Sequence, residues 1–245
     1  MADRRVALVT GANTGIGWAI AQRLQRDGFA LAFHTRDENE ESRERFEEIS
    51  RGGASVWVTA DLGRLEAGDS VIGEAVEAFG RLDVLVNNAG TTVSKPALEL
   101  TADDFDDIFD VDVKSAFLLA IAAAKRMREA GGGVIVNVTS VHEHVPRPGF
   151  ALYAGAKAAL GMITRSLALE LGGDGIRVVS LAPGAIRTER NTEADKLGSE
   201  VPLGRAGTPE EVAALVSWAV SDEARYVTGA SLLVDGGFVQ HGIGA

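Results

Sequence analysis

The chain has 245 residues, 46% of them hydrophobic, with 29 Gly, no Cys and a formal net charge of −11. That length and composition fit one globular α/β unit, the lack of Cys removes disulfides and thiol nucleophiles, and the acidic balance speaks against a nucleic-acid partner, which needs a basic face. No apolar run approaches the roughly 18 residues that cross a bilayer, and no cationic head precedes a long apolar segment at the N-terminus, so a cytoplasmic protein without a membrane anchor is expected.

Val6-Ala7-Leu8-Val9 is an apolar run between charge and glycine, the pattern of a parallel strand buried on both faces. It leads into Thr10-Gly11-x-x-x-Gly15-x-Gly17, with Asn13, Thr14 and Ile16 between the glycines. Glycines without Cβ let the backbone turn sharply and approach a pyrophosphate, whose charge is favoured by the free amides at the start of the next helix. No Gly-Lys-Ser/Thr follows, so a loop for triphosphates is not supported. The pattern then predicts a helix over about 15–27, a strand over 29–35, an acidic helix around 40–51 and a strand over 54–60. A strand over 82–87 follows, then a long helical region over about 102–130, a strand over 134–138, a helix over about 152–171, a strand over 176–181, a helix near 209–220 and a strand over 231–234. Seven strands alternating with helices predict one Rossmann-like, doubly wound parallel sheet with right-handed crossovers and helices on both faces. Neither repeats nor low-complexity linkers interrupt residues 1–245, which read as a single domain.

Ligands of such sheets lie beyond the carboxyl ends of the strands, and the distinctive residues fall there. Asp61-Leu62 follows the third strand, Asn87-Asn88-Ala89-Gly90 the fourth, Ser140 the fifth and Pro183-Gly184 the sixth. The second strand ends in Phe33-His34-Thr35-Arg36-Asp37, with Thr35 at the position where an NAD enzyme places an acid for the ribose 2′-hydroxyl. Arg36 would hold a 2′-phosphate through a charge-assisted bond that an acid would repel. NADP(H) is therefore expected over NAD(H); the alternative is that Arg36 is a solvated loop charge and Asp37 binds a ribose hydroxyl.

Tyr153 and Lys157 stand four residues apart, on one face of the predicted helix. A close ammonium favours the ionised form of a phenol, whose reference pKa is near ~10, and so moves its proton towards the range useful for acid/base work. Ser140 lies upstream on the preceding strand end, but no Gly-x-Ser-x-Gly elbow surrounds it, which removes the hydrolase reading.

In their order these motifs resemble the short-chain dehydrogenase/reductase family, and the resemblance runs over essentially the whole chain. It implies that Tyr153 passes a proton to a carbonyl oxygen as hydride arrives from the nicotinamide, that Lys157 holds the nicotinamide ribose, and that Ser140 orients the substrate oxygen. It implies further that Asp61 and Leu62 flank the adenine, that Asn87, Ala89 and Gly90 line the adenosine side, and that Asn87 and Gly90 also stabilise the central sheet. Pro183-Gly184-Ala185-Ile186-x-Thr188 is similar to the loop that meets the carboxamide, through Ile186 and Thr188. A homotetramer and a short substrate lid near 189–202 also follow from the likeness. Where the family ordinarily carries an Asn that holds a water behind the lysine, this chain has Asp112, which lacks the amide's donor and adds negative charge. An alternative function is thus a cofactor-binding protein whose catalysis is weakened at Asp112.

Ser140-Val141-His142-Glu143 and the run 183–191 most resemble glucose 1-dehydrogenases, with 3-oxoacyl carrier-protein reductases as the other similar group. Thr91-Thr92-Val93 lacks the acid that the former place after Asn-Asn-Ala-Gly, and the lid is shorter. The expected substrate is therefore a carbonyl compound or alcohol drawn from sugars, polyols and small ketones, met by Ser140, Thr92 and His142. For His142 a loop position satisfied by backbone is an equal alternative. His142-x-His144 is weak evidence for a metal, and none is expected.

Overall fold

The computed structural model describes residues 4–64 and 67–241. Among them seven strands form one sheet: β1 (Val6–Val9), β2 (Ala30–Thr35), β3 (Ser55–Thr59), β4 (Val84–Asn87), β5 (Gly133–Val138), β6 (Ile176–Pro183) and β7 (Ser231–Val234). Their order is β3-β2-β1-β4-β5-β6-β7, and every neighbouring pair is parallel. The order reverses between β1 and β4, which opens a crevice at the carboxyl ends of those strands.

The helices are α1 (Gly15–Arg26), α2 (Glu40–Gly52), α3 (Ala67–Phe79), α4 (Ala102–Phe109), α5 (Ser115–Glu129), α6 (Ala151–Leu171), α7 (Ala194–Ser199), α8 (Pro209–Val220) and α9 (Phe238–His241). Strand side chains alternate between two cores, as a period of two requires. Ala7, Val9, Leu31, Phe33, Val84 and Val86 pack with Ile20 and Leu24 of α1, Ile49 of α2 and Val212 and Val216 of α8. On the other face Val6, Leu8, Ala32, Leu85 and Ile135 meet Val71 of α3, Leu119 and Ala123 of α5 and Leu167 of α6. Continuous apolar strands thus need helices on both sides, and their burial removes apolar surface from water at roughly 25 cal/mol per Å².

Two elements differ from the sequence expectation. Helix α3 stands between β3 and β4, where no helix was predicted: Gly68, Ser70 and Gly73 dilute its pattern, yet Val71, Ile72 and Ala75 lie one turn apart and are buried. The region 102–130 is also divided. Between α4 and α5, Asp110–Lys114 forms a π-helical turn, which winds the chain more widely and turns Asp112 inward.

Candidate active site

The glycine turn closes β1 through main-chain contacts. Gly11 has φ +61°, a left-handed conformation that favours glycine, and a Cβ on Gly17 would lie 2.0 Å from the Gly11 carbonyl oxygen. Asn39, Thr101 and Thr208 cap α2, α4 and α8 with their side chains, but Thr14 makes no such bond at the start of α1 and no acid stands in the first turn. The first amides of α1 therefore lack an internal partner, and with the close glycines they fit a dinucleotide's pyrophosphate.

His34 and Asn88 hold this turn. His34 Nε2 is 3.1 Å from the Ala60 carbonyl, which only accepts, so Nε2 donates and Nδ1 accepts from the Gly11 N–H at 3.3 Å. Burial lowers the His34 pKa to about 4, against the opposing backbone bonds, and the ring is neutral at pH 7. Asn88 Nδ2 donates to the Thr10 and Gly11 carbonyls at 2.9 and 3.1 Å.

Gly11, Asn13, Thr14, Gly15, Ile16, Gly17, Arg36, Asp61, Leu62, Ala89, Gly90 and Thr188 all line the nucleotide end of the cleft. Thr35 and Asn87 do not. Thr35 is fully buried; its Oγ1 accepts from Trp57 Nε1 at 2.8 Å and donates to the Asp37 carbonyl at 3.2 Å. Strand alternation sends His34 to the cleft and Thr35 away from it, so Thr35 is not a cleft residue, and the neighbouring Arg36 and Asp37 line the cleft there instead. Asn87 is likewise buried, and its Nδ2 donates to the Ala116 carbonyl and to Asn137 Oδ1. Asn137 continues to Thr164 of α6, so this amide chain ties β4 and β5 to the helix that carries Tyr153 and Lys157. Asn88, the next residue, takes the cleft position.

Arg36 is an exposed guanidinium, 3.8 Å from an Asp37 oxygen and 4.0 Å from an Asp61 oxygen. These are loose surface pairs of little energetic weight.

At the deepest part of the cleft, Lys157 is buried, with Nζ 2.9 Å from Asp112 Oδ2 and 3.2 Å from the Val138 carbonyl. The Asp112 contact is an ion pair at close distance rather than an aligned hydrogen bond. Oδ1 of Asp112 accepts from the Thr91 N–H at 2.7 Å. Burial alone pushes the Lys157 ammonium down; the charges of Asp112 and Tyr153 more than reverse this and hold it above the ordinary lysine value. Lys157 Nζ sits 5.6 Å from the centre of the Tyr153 ring. Among the described residues no protein group hydrogen-bonds the Tyr153 hydroxyl, and Ser140 Oγ accepts from the His142 N–H at 3.2 Å.

Ser140, Tyr153, Lys157 and Asp112 share this chamber, of about 730 Å³, with Thr92, His142, Pro183, Gly184, Ile186 and Thr188. It joins the nucleotide end through Ile16, Asn88, Gly90 and Thr188, which line both. The His142 ring stacks on Phe150 at 5.6 Å and meets Tyr153 and Phe238 edge-on. Its Nδ1 is 3.0 Å from the Val145 carbonyl and therefore donates, leaving Nε2 as an acceptor. Burial pushes its pKa below the usual imidazole value. One His142 nitrogen is thus satisfied by backbone while the ring lines the chamber.

The segment after Thr188 leaves the sheet and returns at Gly207, where Arg187 N donates to the Gly207 carbonyl and Gly207 N to the Ala185 carbonyl, both at 2.9 Å. It carries α7, and Glu193 just before that helix pairs with Arg147 at 3.7 Å across the chamber mouth. Arg147 and Phe150 line the chamber from the loop after Ser140 and Glu193 from the expected lid, whereas Phe238 comes from a segment without a motif that sequence reasoning does not single out. Among the described residues no group of three or more His, Cys, Asp and Glu side chains could hold a metal ion, and no helix is long and apolar enough to cross a membrane.

A glycine turn, an uncapped helix and a Tyr–Lys pair in one crevice describe a nicotinamide-dependent site, and comparison with known proteins decides its family. A family model described as enoyl-(acyl carrier protein) reductase matches residues 11–239. The chain belongs to the short-chain dehydrogenase/reductase family. It is 42% identical over 243 residues to the uncharacterized oxidoreductase YohF of Escherichia coli, covering 96% of each chain, and 39% identical over 242 residues to glucose 1-dehydrogenase 2 of Bacillus subtilis, covering 95% of this chain and 94% of that one. The crystal structure of acetoin dehydrogenase from Enterobacter cloacae superposes with a TM-score of 0.91 at 42% identity over 98% of both chains. As a short-chain dehydrogenase/reductase, the protein is an NAD(P)-dependent oxidoreductase acting on alcohol and carbonyl groups.

Proposed function

We propose that the protein is an NADP(H)-preferring oxidoreductase that interconverts a small hydroxylated carbonyl compound and its alcohol, with Tyr153 as the proton donor and acceptor. The observation that carries this reading is Lys157, buried beside the Tyr153 ring and held by Asp112 and Val138 in a chamber continuous with the glycine turn. A bound nicotinamide supplies or accepts hydride. The protein does the rest. Tyr153 gives its hydroxyl proton to the carbonyl oxygen during reduction and receives it during oxidation. Ser140 Oγ already accepts from the His142 N–H, so its own hydrogen is directed to the substrate oxygen and orients it. Two of the three Lys157 hydrogens face Asp112 and Val138, which leaves the third for a ribose hydroxyl.

Asp112 keeps Lys157 charged and, through Thr91 N, fixes the loop that carries Thr92. Neutral His142 offers Nε2 as an acceptor for a substrate hydroxyl. Glucose and acetoin, named in two of the similar proteins, each carry a hydroxyl beside the reacting carbon, and this supports a substrate of that kind among sugars, polyols and small ketones. Arg36 at the nucleotide end, with no acid in the Thr35 position, supports NADP(H); the pairs with Asp37 and Asp61 must loosen to admit a 2′-phosphate. Residues 1–245 act as a single domain, with 189–202 as the substrate lid. Exposed Phe117, Met162 and Leu169 on α5 and α6 support burial of those helices against other subunits of a homotetramer, and the lack of Cys suits the cytoplasm.

Initial rates with NADPH and NADH over a panel of hydroxyketones, sugars and polyols test the reading. Reduction with a lower KM for NADPH is expected, and Arg36→Ala should raise that KM about tenfold while leaving the KM for NADH unchanged, the loss of one charge-assisted contact of roughly 1.5 kcal/mol. A lower wild-type KM for NADH defeats the NADP(H) assignment. Tight NADPH binding without reduction of any member of the panel favours instead a cofactor-binding protein in which the Asp112–Lys157 pair has weakened catalysis.

A further inference from the structure

Glu143 is a buried carboxylate that the proton transfer above does not use. Its side chain is 1% exposed and belongs to the short turn that begins directly after Ser140. A carboxylate removed from water needs donors, and here three hydroxyls converge on one oxygen. Thr139 Oγ1 is 2.7 Å from Oε2, Ser231 Oγ 3.1 Å and Ser180 Oγ 3.2 Å. Thr139 follows β5, and Ser180 within β6 and Ser231 at the start of β7 are register partners, so one oxygen draws together three neighbouring strands.

The other oxygen, Oε1, is buried without a hydrogen-bond partner, and His144 Nε2 lies 3.9 Å away while bonding Ser231. What confines Oε1 is Gly161, where a Cβ would lie 2.3 Å from it. Gly161 is four residues beyond Lys157 and eight beyond Tyr153, so the three positions run down one face of α6. Glu143 therefore stands between the turn that presents Ser140 and the face of α6 that presents Tyr153 and Lys157.

We infer that Glu143 is a positioning residue that sets the spacing between the Ser140 turn and the Tyr153–Lys157 face of α6, with Gly161 as the seat that admits it. The inference rests on the roles proposed above for Ser140 and Tyr153. Its action is through others: Glu143 takes no proton from the substrate and touches no cofactor site. Glu143→Ala removes the tie to three strands and should lower kcat at least tenfold with the KM for NADPH within twofold, because the glycine turn is untouched. Glu143→Gln keeps an oxygen for the three hydroxyls and should retain kcat within threefold. Gly161→Ala leaves the carboxylate in place chemically but displaces it, and should reproduce the kcat loss of Glu143→Ala; it carries the test if the latter fails to fold.

A readout free of turnover separates this inference from the functional reading. In histidine-labelled protein, the His142 imidazole signals should shift in Glu143→Ala and Gly161→Ala and keep their positions in Glu143→Gln. Unchanged His142 signals, or a wild-type kcat accompanied only by a lower thermal midpoint in Glu143→Ala and Gly161→Ala, would overturn it. A wild type inactive on the whole panel, with the expected His142 shifts, upholds the spacing role and removes the chemistry assigned to the site.

Discussion

At the nucleotide end, under β1 to β3, the cleft is shaped by main chain: Gly11 in its left-handed turn, Gly17 against a carbonyl, and the uncapped amides of α1. At the substrate end, under β5 to β7, it is shaped by side chains from distant segments, with His142, Phe150, Tyr153 and Phe238 in ring contact and Arg147 reaching Glu193. Amides bind a pyrophosphate whatever side chains surround them, so the first end suits a part common to many ligands. The second end can change chemistry by exchanging one side chain at a time. The two ends therefore respond differently to substitution: the first through glycines and its buried histidine, the second through functional groups.

The sharpest way to separate them is Tyr153→Phe, which should lower kcat about a thousandfold, the scale of a lost general acid, while NADPH still binds with wild-type affinity in a fluorescence titration. Loss of both together would join the two ends and break the contrast. Next in size is the acid response of the nucleotide end. His34 titrates at about 4 in the folded chain and near 6.5 when free, so the unfolded state binds the extra proton between these values and stability falls as pH drops from 6.5 to 4. The loss approaches about 3 kcal/mol at pH 4 and vanishes above 6.5. Denaturant unfolding at pH 7, 5.5 and 4 should show it, with a shallower slope in His34→Gln; equal slopes remove His34 from the acid response. Gly17→Ala should then weaken NADPH binding by about 2 kcal/mol, roughly thirtyfold, because a methyl group must displace the Gly11 carbonyl; titration of the cofactor checks it. The smallest effect is at the junction of the two ends. Asp112→Asn removes a negative charge beside Lys157, which favours the deprotonated acid/base group, so the acid limb of the alcohol-oxidation rate should move about one unit towards lower pH. An unchanged rate and pH profile would show that Asp112 does not tune the Tyr153–Lys157 pair.

The same division explains what is legible in the chain itself. The sheet can be read from apolar runs such as Val6–Val9, and Gly11, Gly15 and Gly17 announce the nucleotide turn because their chemistry is local. Tyr153 and Lys157 are readable for the same reason, being one helical turn apart. Thr35 is misjudged by a single position: in a strand one residue decides which face a side chain takes, and the bond from Trp57 that claims Thr35 comes from β3. Asn87 and Asn88 divide their tasks by the same alternation. The π turn at Asp110–Lys114 leaves no mark in a pattern that is helical on both sides, although it is what buries Asp112. Phe238 belongs to a segment whose place at the chamber is set only by tertiary packing. Glu143 is visible as part of a motif, but its three hydroxyl partners lie on separate strands and no spacing rule unites them.

All strands run the same way, and the glycine turn, Ser140 and the return at Gly207 cluster at one rim of the sheet. The opposite rim, where Gly80 and Gly131 form exposed turns ahead of β4 and β5, carries no part of the cleft. An enzyme with such a polarity can be tethered to a bead or fused to a second protein through its idle rim, keeping its mouth open to the solution.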